Sequence, residues 1–381
     1  MTDWLDWPFF EPRHGELADR LKHWCQGRDF HHGGNVDEEC RSLVCELGAA
    51  GLLGLFTEGD VRSLAIARAT LAFHSGLADF AFAMQGLGSG AIRLSGSDSQ
   101  RSEWLPRVAS GEAIAAFALT EPDTGSDAAN IGMIARRGPG SRSGAGADAW
   151  RLDGEKSYIS NGTIADLLTV FARTGEGEGA KGVSAFIVRG DDPGLSVAER
   201  IEVIAPHPLA RLSFDGVRAE PIGEPGQGFR IAMATLTLFR VTVGAAALGF
   251  ARRALDEAIA FASTRKLGDG TLADHGVTQQ KLADMATSID ASALLIARAA
   301  WQQDSGAGDN RRAAAMAKLH ATEEAQKVID AAVQMHGGLG VTKGAKVEEL
   351  YREIRALRIY EGASEVQRQI IARDLLKEHR A

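Results

Sequence analysis

Residues 150–174 read WRLDGEKSYISNGTIADLLTVFART. Two short runs rich in β-branched and aromatic residues, WRLDGEKSYI and LLTVFART, flank a Gly, Asn and Asp turn signal, which predicts two strands. VSAFIVRG at 183–190 and RLSFDGVR at 211–218 repeat the pattern, so a middle β-domain, a barrel or sandwich, is expected over 113–225. Outward on the N-terminal side, Leu17, Leu21 and Trp24 recur at helical spacing, and LADFAFAMQGLGSGAIRLSG at 77–96 is dense in small residues that permit close helix approach. Residues 1–112 therefore read as an α-helical domain. On the C-terminal side, Leu282, Met285, Ile289, Ala293, Ile296 and Ala300 form one helical face, and Ala321, Ala325, Val328, Ile329, Ala332 and Met335 another. Residues 226–381 read as a helical bundle. The fold class expected is α+β, mainly α.

The composition is that of an ordinary soluble protein, 45% hydrophobic and 24% charged, with a net charge of −8. Neither nucleic acid nor a membrane is an expected partner, since no basic block supplies a polyanion footprint and no apolar run approaches the length that spans a bilayer. Cys25, Cys40 and Cys45 lack a CxxC pair, which fits a reducing compartment and thiols that serve packing. The N-terminus, MTDWLDWPFFEPRHGE, has neither the order of a signal peptide nor the basic character of a transit peptide. A cytoplasmic location is expected. The Gly/Ser-rich stretch Arg137 to Ala149 reads as a flexible loop between two strands.

Taken singly, the chemistry-bearing motifs are ambiguous. FALTEPDTGSD, Phe117 to Asp127, offers the hydroxyls of Thr120 and Ser126 and turns at Pro122 and Gly125; a surface turn and an anion-binding nest both stand. In SYISNG, Ser157 to Gly162, Tyr158 packs while Ser160 points at a ligand, or both end a strand. HGGLG, His336 to Gly340, is a helix C-cap with glycine in the left-handed conformation, or a backbone that a phosphate approaches closely. QGLGSGA lacks the spacing of a dinucleotide fingerprint, and His31-His32 lacks the partners of a metal site, so no metal is expected. Arg240, at the edge of the apolar run TLTLFRVTVG, is a structural ion-pair partner or a substrate contact.

Order and spacing decide what each motif alone leaves open. FALTEPDTGSD, LDGEKSYISNGTIADLLTVFART, FDGVRAEPIGEPGQGF, AVQMHGGLGV and YREIRALRIYEGASEVQRQIIAR, in that order, strongly resemble the acyl-CoA dehydrogenase family over nearly the whole chain. The resemblance implies a helical N-terminal domain, a middle β-domain and a C-terminal four-helix bundle, one FAD per subunit, and a homo-oligomer, tetramer or dimer. It implies an acyl-CoA substrate and an electron-transfer flavoprotein as acceptor. Phe117, Leu119, Thr120 and Gly125 would line the cofactor, Ser126 would meet its pyrophosphate and the substrate, and Tyr158 and Ser160 would lie against the ring. Arg265, Gln334, Gly337 and Gly338 would reach the FAD of a neighbouring subunit. Ala363 and Glu365 would border the cofactor, and Arg240, Tyr360 and Gly362 the substrate. A carrier-protein-linked dehydrogenase, an oxidase and a flavin-free scaffold are the competing readings.

The chain departs from the family pattern at Gly268, Asp269 and Gly276, which thins the expected intersubunit contact, at Thr237, and at Ala363, where the family carries threonine. In most members the glutamate of IYEG removes the α-proton of the thioester, whereas a minority place the base immediately before the arginine matched here by Arg240. That position is Phe239. The resemblance therefore assigns the base to Glu361, with Gly362 letting the backbone approach the substrate and Ser364 capping the helix that follows.

Overall fold

The computed structural model describes residues 3–30, 34–58, 60–138, 150–306 and 309–380. His31 and His32, and residues 139–149 of the expected Gly/Ser loop, lie outside the described residues. Helices come first: α1 (Pro12–Cys25), α2 (Val36–Ala49), α3 (Leu55–Glu58), α4 (Val61–His74), α5 (Gly76–Ser95) and α6 (Asp98–Ala109). Strands follow: β1 (Ala115–Ala118), β2 (Ile134–Arg137), β3 (Trp150–Ser160), β4 (Leu167–Arg173), β5 (Val183–Arg189), β6 (Leu195–Arg200) and β7 (Leu209–Ile222). Then come α7 (Gly228–Thr264), the hairpin β8 (Lys266–Leu267) and β9 (Gly270–Thr271), α8 (Gly276–Asp304), α9 (Arg311–His336), α10 (Lys346–Leu357) and α11 (Ser364–Arg380). The chain is thus a helical N-terminal part, a middle sheet and a helical C-terminal part.

Two compact units emerge from the packing, one formed by Met1–Phe30, Asp60–Asp79 and Thr237–Ala381, the other by His31–Gly59 and Phe80–Leu236. In the second, the sheet closes on itself. β4 pairs with β2 and β5, β2 with β3, β3 with β7, and β7 with β5, while β1 joins β4 in parallel and β6 lies along β7. Closure leaves few free edges and an interior filled by Trp150, Leu152, Leu168, Val170, Phe186, Val188, Leu212 and Phe214. β4 and β5 are buried on both faces, which explains their unbroken apolar runs. β1, β2 and β6 carry no such signal: AAFA and IARR are short, and LSVAER is exposed along most of its length.

In the first unit α4 is buried from Val61 to Ala72 on every side, as expected of a central helix. Its start is secured by Asp60, whose carboxylate accepts from Arg62 and Ser63 N–H groups, and by Arg62 Nε, 2.8 Å from Asp304 Oδ2. α8 and α9 bury the faces anticipated, except that Leu282 and Met335 are only half-buried. Trp24 is likewise half-buried, the inner face of α1 being His14, Leu17, Leu21 and Cys25.

Two expectations need correcting. Helix α7 contains an 18-residue window long and apolar enough to cross a bilayer, yet 83% of it is buried inside the protein, so packing takes up its apolar surface. Cys25 and Cys40 are buried, but Cys45 is exposed and fills no core.

Candidate active site

The β1–β2 connection begins where β1 ends, and its shape rests on a buried ion pair. Lys156, with no exposed surface, extends Nζ from β3 to Glu121 Oε1 at 2.8 Å and to the Leu119 carbonyl at 3.0 Å. The same carboxylate accepts from the backbone N–H of Gly132 at 2.5 Å and Met133 at 2.9 Å. Burial lowers the Lys156 ammonium to about 8, with Glu121 pulling it back up. Ser157 N–H donates to the Thr120 carbonyl at 2.9 Å, which ties the connection to the strand that carries Tyr158. The turn itself is closed by paired backbone bonds between Glu121 and Thr124; Gly125 has ordinary φ and open space around it, so no turn geometry demands glycine there.

Around this clamp lie the residues expected to meet a flavin. Phe117 is half-buried with its ring 4.9 Å from Phe171, Leu119 is buried, Thr120 and Ser160 are half-buried, and Gly125 and Ser126 are exposed. Tyr158 does not pack: it is 63% exposed at φ 55°, a left-handed conformation that side chains rarely adopt. Asn161, at φ 61°, is fully buried and donates to the Ala115 carbonyl at 3.0 Å, which holds the turn after β3. An exposed aromatic ring in a constrained backbone, bordered by free-standing hydroxyls, suits a planar ring system with a polar tail. These residues fit FAD.

In the other unit, Glu361 stands in the turn between α10 and α11 at φ 52°. Its Oε2 is buried without a hydrogen-bond partner, and so is Nε of Arg240 on α7. Arg240 donates from Nη1 to Thr237 Oγ1 at 3.3 Å, so its guanidinium is only partly satisfied. Burial pushes the Glu361 carboxyl above the ordinary glutamate range, while Arg68, Lys318 and Arg240 pull it partly back. Arg68 is itself held by a two-pronged pair with Asp79, at 2.9 and 2.7 Å, and donates to Thr242 Oγ1. Tyr360 is half-buried beside them, and burial raises its phenol. Glu361's backbone N–H makes no hydrogen bond to another described residue.

The turn is gripped from both sides. Lys318 Nζ on α9 donates to the Gly362 carbonyl at 2.9 Å, and Gln367 Nε2 on α11 donates to the same oxygen at 2.8 Å. Glu323, also on α9, binds Arg358 before the turn at 3.0 and 2.8 Å and Ser364 after it at 2.5 Å. Ser364 is thus not the cap expected of it: it opens α11, and its buried hydroxyl donates to Glu323 instead. Gly362 sits at φ 90°, and an added Cβ would meet the Gln367 amide at 2.6 Å, so both backbone and space require glycine. Ala363 is half-buried and Glu365 exposed. Lys318, Glu323 and Gln367 are the residues that motif reading missed.

Arg265, Gln334, Gly337 and Gly338 are all exposed. They gather where α7 and α9 end, joined by a ring stack of Phe261 on His336 at 4.3 Å. Gly337 terminates α9 at φ 58°, ψ −137°, a glycine-only region distinct from the left-handed helical cap expected.

Comparison with known proteins gives this arrangement a context. The acyl-CoA dehydrogenase N-terminal, middle and C-terminal domains match residues 12–112, 116–217 and 226–376. A probable acyl-CoA dehydrogenase of Mycobacterium leprae is 33% identical over 99% of this chain and 100% of its own length. The mitochondrial short-chain specific acyl-CoA dehydrogenase of Bos taurus is 34% identical over 97% of this chain and 91% of its own. The structure of a glutaryl-CoA dehydrogenase from Mycobacterium smegmatis, in complex with FADH2, superposes with a TM-score of 0.86 at 28% identity, covering 96% of this chain and 95% of that one. A helical, barrel and helical chain with a half-buried glutamate in its IYEG turn, one of whose oxygens is buried without a partner, matched along its length by these relatives, belongs to the acyl-CoA dehydrogenase family, oxidoreductases that act on CH–CH bonds.

Proposed function

We propose that the chain converts an acyl-CoA thioester to the trans-2-enoyl-CoA, with Glu361 removing the α-proton. The observation that carries this reading is Glu361 itself: a carboxylate oxygen buried without a protein partner, in a left-handed turn, on the segment where the family carries its base. A thioester α-proton is too weakly acidic for a carboxylate in water. Burial raises the Glu361 carboxyl and so its basicity, and its backbone N–H, unpaired among the described residues, would donate to the thioester oxygen as enolate charge develops. Arg240, Tyr360 and Gly362 contact the substrate, and Ser126 meets both substrate and cofactor. Bound FAD would supply the acceptor for the β-hydride. Phe117, Leu119, Thr120, Gly125, Tyr158 and Ser160 would hold it, with Ala363 and Glu365 at its border, while Arg265, Gln334, Gly337 and Gly338 would reach the cofactor of a second copy. Phe239 is buried and apolar, which leaves no base at the alternative position.

An electron-transfer flavoprotein is the proposed acceptor. Glu361→Gln keeps size and removes basicity, so it should still take up FAD and perturb the flavin spectrum on adding acyl-CoA, yet lose at least about 10²-fold in single-turnover flavin bleaching. An unchanged rate per bound FAD would sink the assignment. Rapid peroxide formation at full turnover without an acceptor protein would point to an oxidase, and turnover restricted to carrier-protein thioesters to a biosynthetic dehydrogenase.

A further inference from the structure

A lysine with no exposed surface is costly unless it serves something, and Lys318 serves the turn that holds Glu361. Its Nζ lies 2.9 Å from the Gly362 carbonyl, the residue immediately after the base. Resting on the dehydrogenation reading above, we propose that Lys318 is a positioning residue for Glu361: its ammonium anchors the strained turn and supplies positive charge that the carboxylate faces.

Two demands converge on this side chain. The left-handed backbone at Glu361 is strained and persists only where the surroundings over-determine it. Gln367 and Lys318 both donate to the Gly362 carbonyl, and Glu323 binds both flanks, so the turn has no cheap alternative arrangement. The second demand is charge. Glu361 is faced by Arg68 from α4, Asp79 from α5, Arg240 from α7 and Lys318 from α9. Arg68 is already neutralised by its two bonds to Asp79. Arg240 donates to Thr237 Oγ1, and its Nε is buried without a partner. Lys318 is the cation fixed to the turn itself; Glu361, Glu323 and Glu365 favour its charge, while burial and Arg240 oppose it and bring it to about 8. Positive charge held there offsets part of the rise that burial imposes on the Glu361 carboxyl and so favours its ionised, proton-accepting form.

The test uses FAD-loaded enzyme. Glu361 is titrated by difference infrared spectroscopy, its carboxyl band identified by its loss in E361Q, for wild type, K318M and K318Q. The proposal expects the Glu361 pKa to rise by about one unit in both variants, so that single-turnover bleaching near neutral pH falls roughly 10-fold and recovers as pH is raised. K318Q, which keeps a donor for the Gly362 carbonyl, should retain the higher alkaline plateau of the two. A Glu361 titration that does not move in either variant overturns the proposal, even if E361Q abolishes bleaching; a bleaching rate untouched by E361Q overturns the dehydrogenation reading first. Should K318M fail to hold FAD, K318M/E361Q decides: removing the carboxylate left uncompensated should restore folding, and a double variant folded no better than K318M refutes the pairing.

Discussion

At Glu361 function and stability pull in opposite directions. Burial raises its pKa in the folded chain, so over the window above the ordinary glutamate value the native state binds a proton that the unfolded chain has released. Stability contributed by this group is therefore present at low pH and falls as pH rises through the raised value. E361Q should accordingly be more stable than wild type at pH 7 to 8, and the advantage should shrink toward pH 5. Paired thermal unfolding of the two FAD-loaded proteins across that range checks it; an advantage independent of pH would mean that the carboxylate is ionised without cost.

Among the elements, β3 carries the heaviest constraint outside the base turn. Lys156 sits in it, paired with Glu121 of the β1–β2 connection, and the connection that would meet the cofactor hangs from that pair. Lys156→Met strands a buried carboxylate and should cost about 3–5 kcal/mol, while adding Glu121→Gln should return a large part of the loss. Urea unfolding of both variants measures the cycle. Losses that simply add would show the two side chains acting independently. FAD content should fall with Lys156→Met, since the Thr120 and Tyr158 backbones are linked through Ser157.

For the whole molecule, Arg265, Gln334, Gly337 and Gly338 form an exposed end where α7 and α9 finish. If it holds the FAD of a second copy, Arg265→Ala should lower FAD retention at least about 10-fold while the oligomer survives, read by flavin content after gel filtration with light scattering. Full retention would remove the intersubunit role. Much of this protein was legible in its residues because the signals are local. Short β-branched and aromatic runs between turn signals marked β3, β4, β5 and β7, helical periods marked α8 and α9, and IYEG marked the proposed base in one contiguous stretch. What remained invisible depends on partners distant in sequence: Lys318 meets Gly362 across 44 positions and Lys156 meets Glu121 across 35. A buried lysine and a surface lysine are the same letter, and only the packed chain removes the water that separates them. The sequence by itself determined the order of helices, barrel and helices and, through its family resemblance, pointed to Glu361 as the proposed base. Tertiary structure alone decided its left-handed backbone, its unsatisfied oxygen and the cations around it, because desolvation and charge arise from neighbours that local sequence does not specify.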